Sequence, residues 1–387
     1  MPRSVAFAAL TAFVLMLGLG VLFPVLPKFT STLGISDAAA GWLLAAYPLA
    51  SLVASPLWGR FSNARGRKPA IVIGLCGYAV GFILFGFGQT FGQLLAARVL
   101  GGLTSAAALP ALFAYVADVT TSDRRSSGMG ALGAGIGLGV TFGPAIGALT
   151  DAWLGVRAPY FVSGAIGLAN ALVVALALPE SLTAEARAAR DRVAAPRVPL
   201  ARIAAPLMPF LICSFLTSTA RIAVDSTFGF FAQASLGATP RGIAGVLTAM
   251  GVASAIVQGG VLRSLVGRVS DTSLFVAGCA LMTAGLGAFG FASSWTGFLA
   301  AGMPVAIGFA LLSPTLTAML SRAAESAQGE AQGLNGSATA LSRVIAPLLF
   351  TTGLWPRVGG PGTYAVAAGL AALALGVALA RFRSTSA

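Results

Sequence analysis

The sequence predicts an all-α membrane protein in which twelve transmembrane helices form two halves of six. Of its 387 residues, 57% are hydrophobic and only 9% are charged, whereas about 25% are charged in ordinary soluble domains. Apolar runs recur along the whole chain, each of about 20 residues, the length that a helix needs to cross the hydrocarbon core of a bilayer. The alternating segments of membrane barrels are missing from the sequence, so the spans are predicted to be helical.

Twelve spans are predicted, and the longest polar segment separates the sixth from the seventh. We therefore expect a first six-helix half at residues 1–179, a cytoplasmic linker at 180–204 and a second six-helix half at 205–387. Residues 262–271, after the eighth span, weakly repeat the basic segment 59–68 after the second span, which favours an internal duplication. The predicted spans cover residues 5–27, 38–58, 69–89, 91–117, 127–150, 159–178, 206–236, 241–262, 272–292, 295–320, 331–354 and 362–380.

The basic residues predict how the spans are oriented. Of the 24 Lys and Arg residues, 17 fall on one side of the predicted spans, four fall on the other side and three lie within spans. Loops rich in Lys and Arg face the cytoplasm in membrane proteins. We therefore expect a multi-pass protein of the cytoplasmic (inner) membrane with both termini in the cytoplasm.

Composition also excludes several classes of function. The formal charge of +13 lies in short loops, not in a patch with interleaved aromatic residues, so nucleic acid is not an expected partner. No cofactor or metal is expected, because histidine is absent and Cys76, Cys213 and Cys279 lie far apart in apolar runs. No Walker-type phosphate loop is present, and no nucleophile and base are paired, so an enzyme is not expected.

The linker contains charged residues among alanines at positions 183–193. This pattern predicts a short helix at the level of the lipid headgroups, which binds anionic lipid and tethers the two halves. A regulatory role for this segment is the alternative.

The segment 59–68 carries the first motif. Its sequence, Gly-Arg-Phe-Ser-Asn-Ala-Arg-Gly-Arg-Lys, resembles the loop signature of the major facilitator superfamily, G-x-L-a-D-R-x-G-R-K. The two glycines are expected to allow tight turning and close helix approach. The sequence departs from the signature at Asn63, where the family has Asp, and at Ala64, where it has Arg. The matching positions are Gly59, Gly66, Arg67 and Lys68.

Two more motifs resemble the twelve-helix drug:proton antiporter branch of that superfamily. In span one, Gly18, Pro24 and Pro27 match L-G-x-x-x-x-x-P-v-x-P, and the prolines are expected to bend or end the helix on its outer side. In span four, Arg98 begins a match to R-x-x-q-G, with Gly101 in place of Gln.

The match in span five is the most informative. It follows G-x-x-x-G-P-x-x-G-G except that Ala148 replaces the last glycine. Glycines at every fourth position form a helix face that admits close packing, and Pro144 is expected to kink that helix. A gating role and a purely packing role are the two interpretations. The motif positions are Gly139, Gly143, Pro144 and Gly147.

These resemblances imply the major facilitator fold and proton-coupled efflux of drugs or small amphipathic metabolites by alternating access. Small-molecule substrates, protons and membrane lipids are the implied partners, and a monomer is expected. Two alternatives remain open: an exporter or facilitator of a single polar metabolite such as a sugar or amino acid, and a lipid translocase or non-transporting receptor.

Charged residues within spans are costly and therefore functional candidates. Arg98 is expected near the proton pathway or the central cavity, and a structural bond to backbone carbonyls is its alternative role. Asp225 and Arg221 lie four residues apart on one helix face, either as a structural pair or with Asp225 carrying the coupling proton. Arg343 in span eleven is expected to bind an anionic substrate or to pair with Asp225.

The resemblance implies a cytoplasmic gate in which Asp118, at the end of span four, pairs with the Arg67 segment. Because Asn63 carries no charge, this gate is expected to be weaker than in relatives with Asp. Candidates for the substrate cavity, with packing or contact with lipid as their alternative role, are Tyr47, Tyr115, Phe228, Phe231, Gln233 and Gln258.

Overall fold

A computed structural model describes residues 3–121, 124–182, 200–265, 267–324 and 327–382. Throughout these ranges the elements are helices joined by short turns, and no β-strand occurs in them. The helix predicted for residues 183–193 lies outside the described residues. The chain forms two compact units, Met1–Ala195 and Pro196–Ala387.

In the first unit, long apolar helices alternate with very short turns. Its helices are α1 (Arg3–Thr32), α2 (Asp37–Arg65), α3 (Arg67–Phe87), α4 (Phe91–Ser105), α5 (Ala108–Val119), α6 (Arg125–Leu154) and α7 (Ala158–Ala177).

The second unit contains two π-helical segments. Val257–Val261 joins α9 to α10, and Leu348–Leu354 joins α13 to α14. Its α-helices are α8 (Leu200–Leu236), α9 (Pro240–Ile256), α10 (Leu262–Leu265), α11 (Asp271–Phe289), α12 (Trp295–Ala323), α13 (Gln328–Pro347) and α14 (Trp355–Arg381).

Eleven helical segments of the described chain are long and apolar enough to cross a membrane. The last of them, Glu330–Arg381, has 52 residues and would be about 78 Å long as one helix, whereas one crossing needs about 30 Å. The chain breaks helical geometry inside this segment at Gly359, where φ is 61°. It therefore supplies two crossings, in agreement with the predicted twelve.

The predicted span four agrees with one membrane-crossing segment, Phe91–Val119. Within it α4 ends at Ser105 and α5 starts at Ala108, because Pro110 has no N–H to continue the ladder there. Two sequence expectations need correction. Segment 59–68 is not a loop, because α2 continues to Arg65 and only Gly66 separates it from α3. A Cβ on Gly59 would meet no described atom within 4 Å, so that glycine serves neither a turn nor a close approach.

The two units repeat one pattern of helix packing. In the first, α1 packs against α6, α3 against α4 and α7, and α2 against α4; in the second, α8 packs against α13, α11 against α12 and α14, and α9 against α12. The repeat extends to single residues. Gly81 of α3 faces Ala97 and Gly101, and Gly285 of α11, 204 residues later, faces Ala301 and Val305.

Candidate functional site

The glycine face of α6 packs directly on the backbone of α1. A Cβ on Gly143 would lie 2.6 Å from the carbonyl oxygen of Leu17, and a Cβ on Gly147 would lie 2.9 Å from that of Val21. Real Cβ atoms do not come this close, so only glycine fits. Because each successive glycine meets a carbonyl one turn further along α1, the two helices stay in register over about three turns. The facing pairs are Gly135 with Ala9, Gly139 with Phe13, Gly143 with Leu17 and Gly147 with Val21.

The prolines of both motifs lie inside continuous helices. Pro24 and Pro27 do not end α1, which runs on to Thr32, and α6 passes through Pro144. Transmembrane helices tolerate internal proline where neighbouring groups re-satisfy the freed backbone. A Cβ on Gly20 would lie 2.9 Å from both the Cα of Gly143 and the Cδ of Pro144, so the proline belongs to the close α1–α6 contact.

Gly18, which also lies on α1, packs against α3. A Cβ at this position would lie 2.7 Å from the ring of Phe82. The first-helix motif therefore serves helix packing on two faces of α1.

Arg98 is buried within the first unit, with 6% of its surface exposed. Its Nε donates a hydrogen bond of 3.0 Å to the carbonyl of Leu43, and its guanidinium carbon lies 4.7 Å from the ring centre of Tyr47. The hydroxyl of Tyr47 in turn lies 2.5 Å from that of Ser105. Arg98 thus ties α4 to α2 through a carbonyl and an aromatic face.

Arg221 and Asp225 form an ion pair on one face of α8. The Nη1 of Arg221 lies 2.6 Å from the Oδ1 of Asp225, and the two side chains are 15% and 17% exposed. The predicted proximity is therefore present.

An aromatic cluster packs beside this pair in the interior of the second unit. The ring of Phe228 lies 5.1 Å from that of Phe298 and 5.3 Å from that of Phe289, while Phe231 lies 5.3 Å from Phe298. The hydroxyl of Tyr364 is 3.1 Å from that of Thr227. Two of the proposed cavity residues, Phe228 and Phe231, therefore contribute to this packed interior.

The other cavity candidates lie in different surroundings. Tyr115 of α5 is fully buried, and Gln233 of α8 is partly buried. Gln258 is exposed in the π-helical segment Val257–Val261. Arg343, which the sequence predicts as an intramembrane charge and not as a cavity residue, is exposed on α13.

The predicted gate residues meet where α2, α3 and α5 end or begin. The Nε of Arg67 lies 3.2 Å from the Oδ2 of Asp118, and both side chains are almost completely buried. The Nη1 of Arg67 also donates to the Oδ1 of Asn63 at 2.7 Å and to the Oγ of Ser62 at 3.0 Å. Asn63 thus contacts the arginine through a neutral oxygen, where the family signature has a carboxylate.

Sequence reasoning missed Glu180, which it placed in the linker. The carboxylate of Glu180 accepts hydrogen bonds from the backbone N–H groups of Arg67 at 2.9 Å and Lys68 at 3.1 Å. It caps the positive N-terminus of α3, as an anion is expected to do. The signal available was an acidic residue directly after the last apolar run of the half.

Gly66 is required beside this carboxylate. Its φ is 113°, in the region that favours glycine, and a Cβ there would lie 2.8 Å from the carboxyl carbon of Glu180. Glu180 also accepts from the N–H of Leu182 at 3.0 Å. Because Gly66 has no side chain, the carboxylate of Glu180 can reach the first turn of α3.

Comparison with known proteins connects this arrangement to membrane transport. The sequence profile of the Major Facilitator Superfamily matches residues 8–347. Multidrug resistance protein 2 of Bacillus subtilis is 32% identical over 345 residues, which cover 87% of this chain and 85% of that protein. Multidrug resistance protein 1 of the same organism is 31% identical over 339 residues, covering 87% and 86%. Quinolone resistance protein NorA of Staphylococcus aureus is 26% identical over 352 residues, covering 90% and 89%.

Two solved structures share the fold. The human organic anion transporter MFSD10 (TETRAN) superposes with a TM-score of 0.71 at 20% identity, covering 98% of this chain and 100% of that chain. A bacterial homolog of the human lysosomal transporter Spinster, in an inward-facing and occupied conformation, gives a TM-score of 0.77 at 13% identity, covering 98% and 96%. At these identities the likeness concerns the fold alone.

Proposed function

Because this chain belongs to the Major Facilitator Superfamily, we propose that it is a secondary active transporter that exports drugs or small amphipathic metabolites in exchange for protons. The observation that carries this proposal is its 32% identity over 87% of its length to Multidrug resistance protein 2. An internal glycine face with Pro144 on α6 supports it, because the antiporter motif of span five lies where α1 and α6 touch backbone to backbone.

Asp225 is our proposed carrier of the coupling proton. Among the acidic residues that the structure describes, it is the one placed well inside a span, away from the helix ends. Its carboxylate already has a cationic partner in Arg221 at 2.6 Å. In the proposed cycle the carboxylate of Asp225 pairs alternately with a proton and with the guanidinium of Arg221. Arg98 and Arg343 are the other charged residues that we place within the membrane.

The gate is proposed at the paired ends of α2, α3 and α5. Arg67 and Asp118 hold these ends together from within a nearly buried site, with Asn63, Gly66 and Glu180 completing it. Opening requires that this pair separate, and the neutral Asn63 makes its separation easier than a carboxylate would. Lys68 contributes its backbone N–H to the same site.

The remaining features of the proposal concern placement in the membrane. Both termini and the gate face the cytoplasm in this proposal, which the bias of basic residues towards one side of the spans supports. Residues 180–204 link the halves on that side, with Glu180 anchored to the first half. The protein acts as a monomer in a lipid bilayer.

Proteoliposome transport tests this function. A fluorescent lipophilic cation is supplied with and without an imposed proton gradient. Accumulation that depends on the gradient and collapses with a protonophore is the expected result. Absence of dye flux in both conditions would overturn the proposal. Transport of one polar compound would then identify a narrow metabolite exporter, and movement of labelled lipid between leaflets would identify a lipid translocase.

A further inference from the structure

The second half contains an ion pair that none of the family motifs includes. Arg322, near the end of α12, bonds through Nη2 to the carboxylate of Asp271, the first residue of α11. The side chain of Asp271 is 25% exposed and that of Arg322 is 64% exposed. By the charge bias, these helix ends belong to the cytoplasmic side.

This pair occupies the place of Arg67 and Asp118 in the first half. Arg67 is the first residue of α3 and Asp118 the last but one of α5, just as Asp271 is the first residue of α11 and Arg322 the last but one of α12. Each pair is separated by 51 residues along the chain. Corresponding members lie 204 residues apart, which is also the distance between Gly81 and Gly285.

Ring contacts confirm the same register elsewhere in the two units. Phe85 and Tyr160 lie 4.9 Å apart, and their counterparts at the same offset, Phe289 and Tyr364, also lie 4.9 Å apart. The correspondence of the two ion pairs is therefore part of a repeat that keeps its register through spans three, four and six.

The charges of the two pairs are exchanged. In the second half the acid lies at a helix N-terminus and the base at a helix C-terminus, the arrangement that helix dipoles favour. In the first half Arg67 and Asp118 oppose the dipoles, and Glu180 supplies the missing negative charge at the start of α3. Each half thus has an ion pair between the start of its third span and the end of its fourth. The acid and the base exchange places between the halves, and among the residues that the structure describes only the first half has an additional carboxylate, that of Glu180, bound at the start of the third span.

We propose that Asp271 and Arg322 are positioning residues for transport, which hold the cytoplasmic ends of spans nine and ten together as Arg67 and Asp118 hold those of spans three and four. This inference rests on the proposed transport function. The pair does not touch the substrate; it fixes how the second half presents its cytoplasmic ends.

Charge exchange tests the pair. Asp271→Arg and Arg322→Asp should each lower the maximal rate of dye export about two- to five-fold, the range of a partly exposed ion pair, with the KM changed less than the maximal rate. The double variant Asp271→Arg/Arg322→Asp should recover most of that loss. Arg268→Asp, which removes an exposed arginine nearby, is the matched control and should transport like the parent.

A second readout needs no substrate. Leu274, one turn after Asp271, is 4% exposed. In a background lacking the native cysteines, Leu274→Cys should react slowly with a membrane-impermeant maleimide in inside-out vesicles. Either single charge reversal should speed this reaction, and the double exchange should slow it again.

The two readouts separate the possible failures. If the parent exports no dye while the labelling follows the charge pattern, the proposed drug export fails and the positioning pair stands. If the single variants match Arg268→Asp in export and in labelling, Asp271 and Arg322 are an incidental surface pair and the inference is overturned.

Discussion

The ammonium nitrogen of Lys28 lies 2.8 and 2.9 Å from the two carboxylate oxygens of Asp151, so one ion pair joins α1 to α6. Asp151 lies one turn beyond Gly147, the last glycine of the α6 face. The carboxylate is 5% exposed and the lysine side chain 44% exposed. On the side predicted to face outwards, the backbone contact between α1 and α6 therefore ends at the ion pair of Lys28 and Asp151.

Removal of the lysine charge should weaken this end of the α1–α6 contact. In Lys28→Met the buried carboxylate of Asp151 loses its cation, and we expect a loss of about 1–2 kcal/mol, reduced because Lys28 is partly exposed. Thermal unfolding in detergent measures the effect. The double variant Lys28→Met/Asp151→Asn should unfold closer to the parent, and an unchanged Lys28→Met would contradict the prediction.

A methyl group on the glycine face should separate α1 from α6. Gly143→Ala places its Cβ 2.6 Å from the carbonyl oxygen of Leu17, and overpacking of this kind costs about 1–3 kcal/mol. Gly137→Ala is the control on the same helix, since a Cβ there would meet no described atom within 4 Å. Dye export and thermal stability should fall in the first variant and not in the second; equal behaviour would remove the close-packing explanation.

Loss of the negative charge on Glu180 should destabilise the start of α3. Glu180→Gln keeps the shape but weakens the acceptor for the N–H groups of Arg67 and Lys68, at a cost of about 0.5–2 kcal/mol by analogy with helix caps. Glu330→Gln, at an exposed acid on α13, provides the comparison. Thermal unfolding should distinguish the two, and identical midpoints would show that Glu180 contributes no cap.

Replacement of Asp225 should uncouple transport from the proton gradient. Asp225→Asn leaves an acceptor 2.6 Å from Arg221 but no titratable group. Uphill accumulation of dye should be lost while downhill exchange persists. Full uphill accumulation by this variant would remove Asp225 from the coupling mechanism.

Restoration of the family's carboxylate should strengthen the gate. The Nη1 of Arg67 already lies 2.7 Å from the amide oxygen of Asn63, and a charge-assisted bond is roughly twice as strong as a neutral one. Asn63→Asp should therefore lower the accessibility of cysteine probes placed at the cytoplasmic gate. Accessibility equal to that of the parent would contradict this effect.

Several residues of the candidate site follow from sequence patterns, because the patterns are local. Arg221 and Asp225 are four residues apart on one helix, and that spacing alone brings their side chains together. Glycines at every fourth position of α6 likewise predict a smooth face. The pattern did not reveal which helix fills that face, or that Gly59 lies in a helix with open space beside it.

The sequence by itself determined the helical class, the twelve crossings and the family, because the length of apolar runs, the charge of loops and short motifs are properties of consecutive residues. Only the tertiary structure decided the partners of Glu180, Asp151 and Asp271. Their bonds to Lys68, Lys28 and Arg322 span 112, 123 and 51 residues. Such contacts depend on the rotation and register of one packed helix against another, which the order of residues along either helix does not specify.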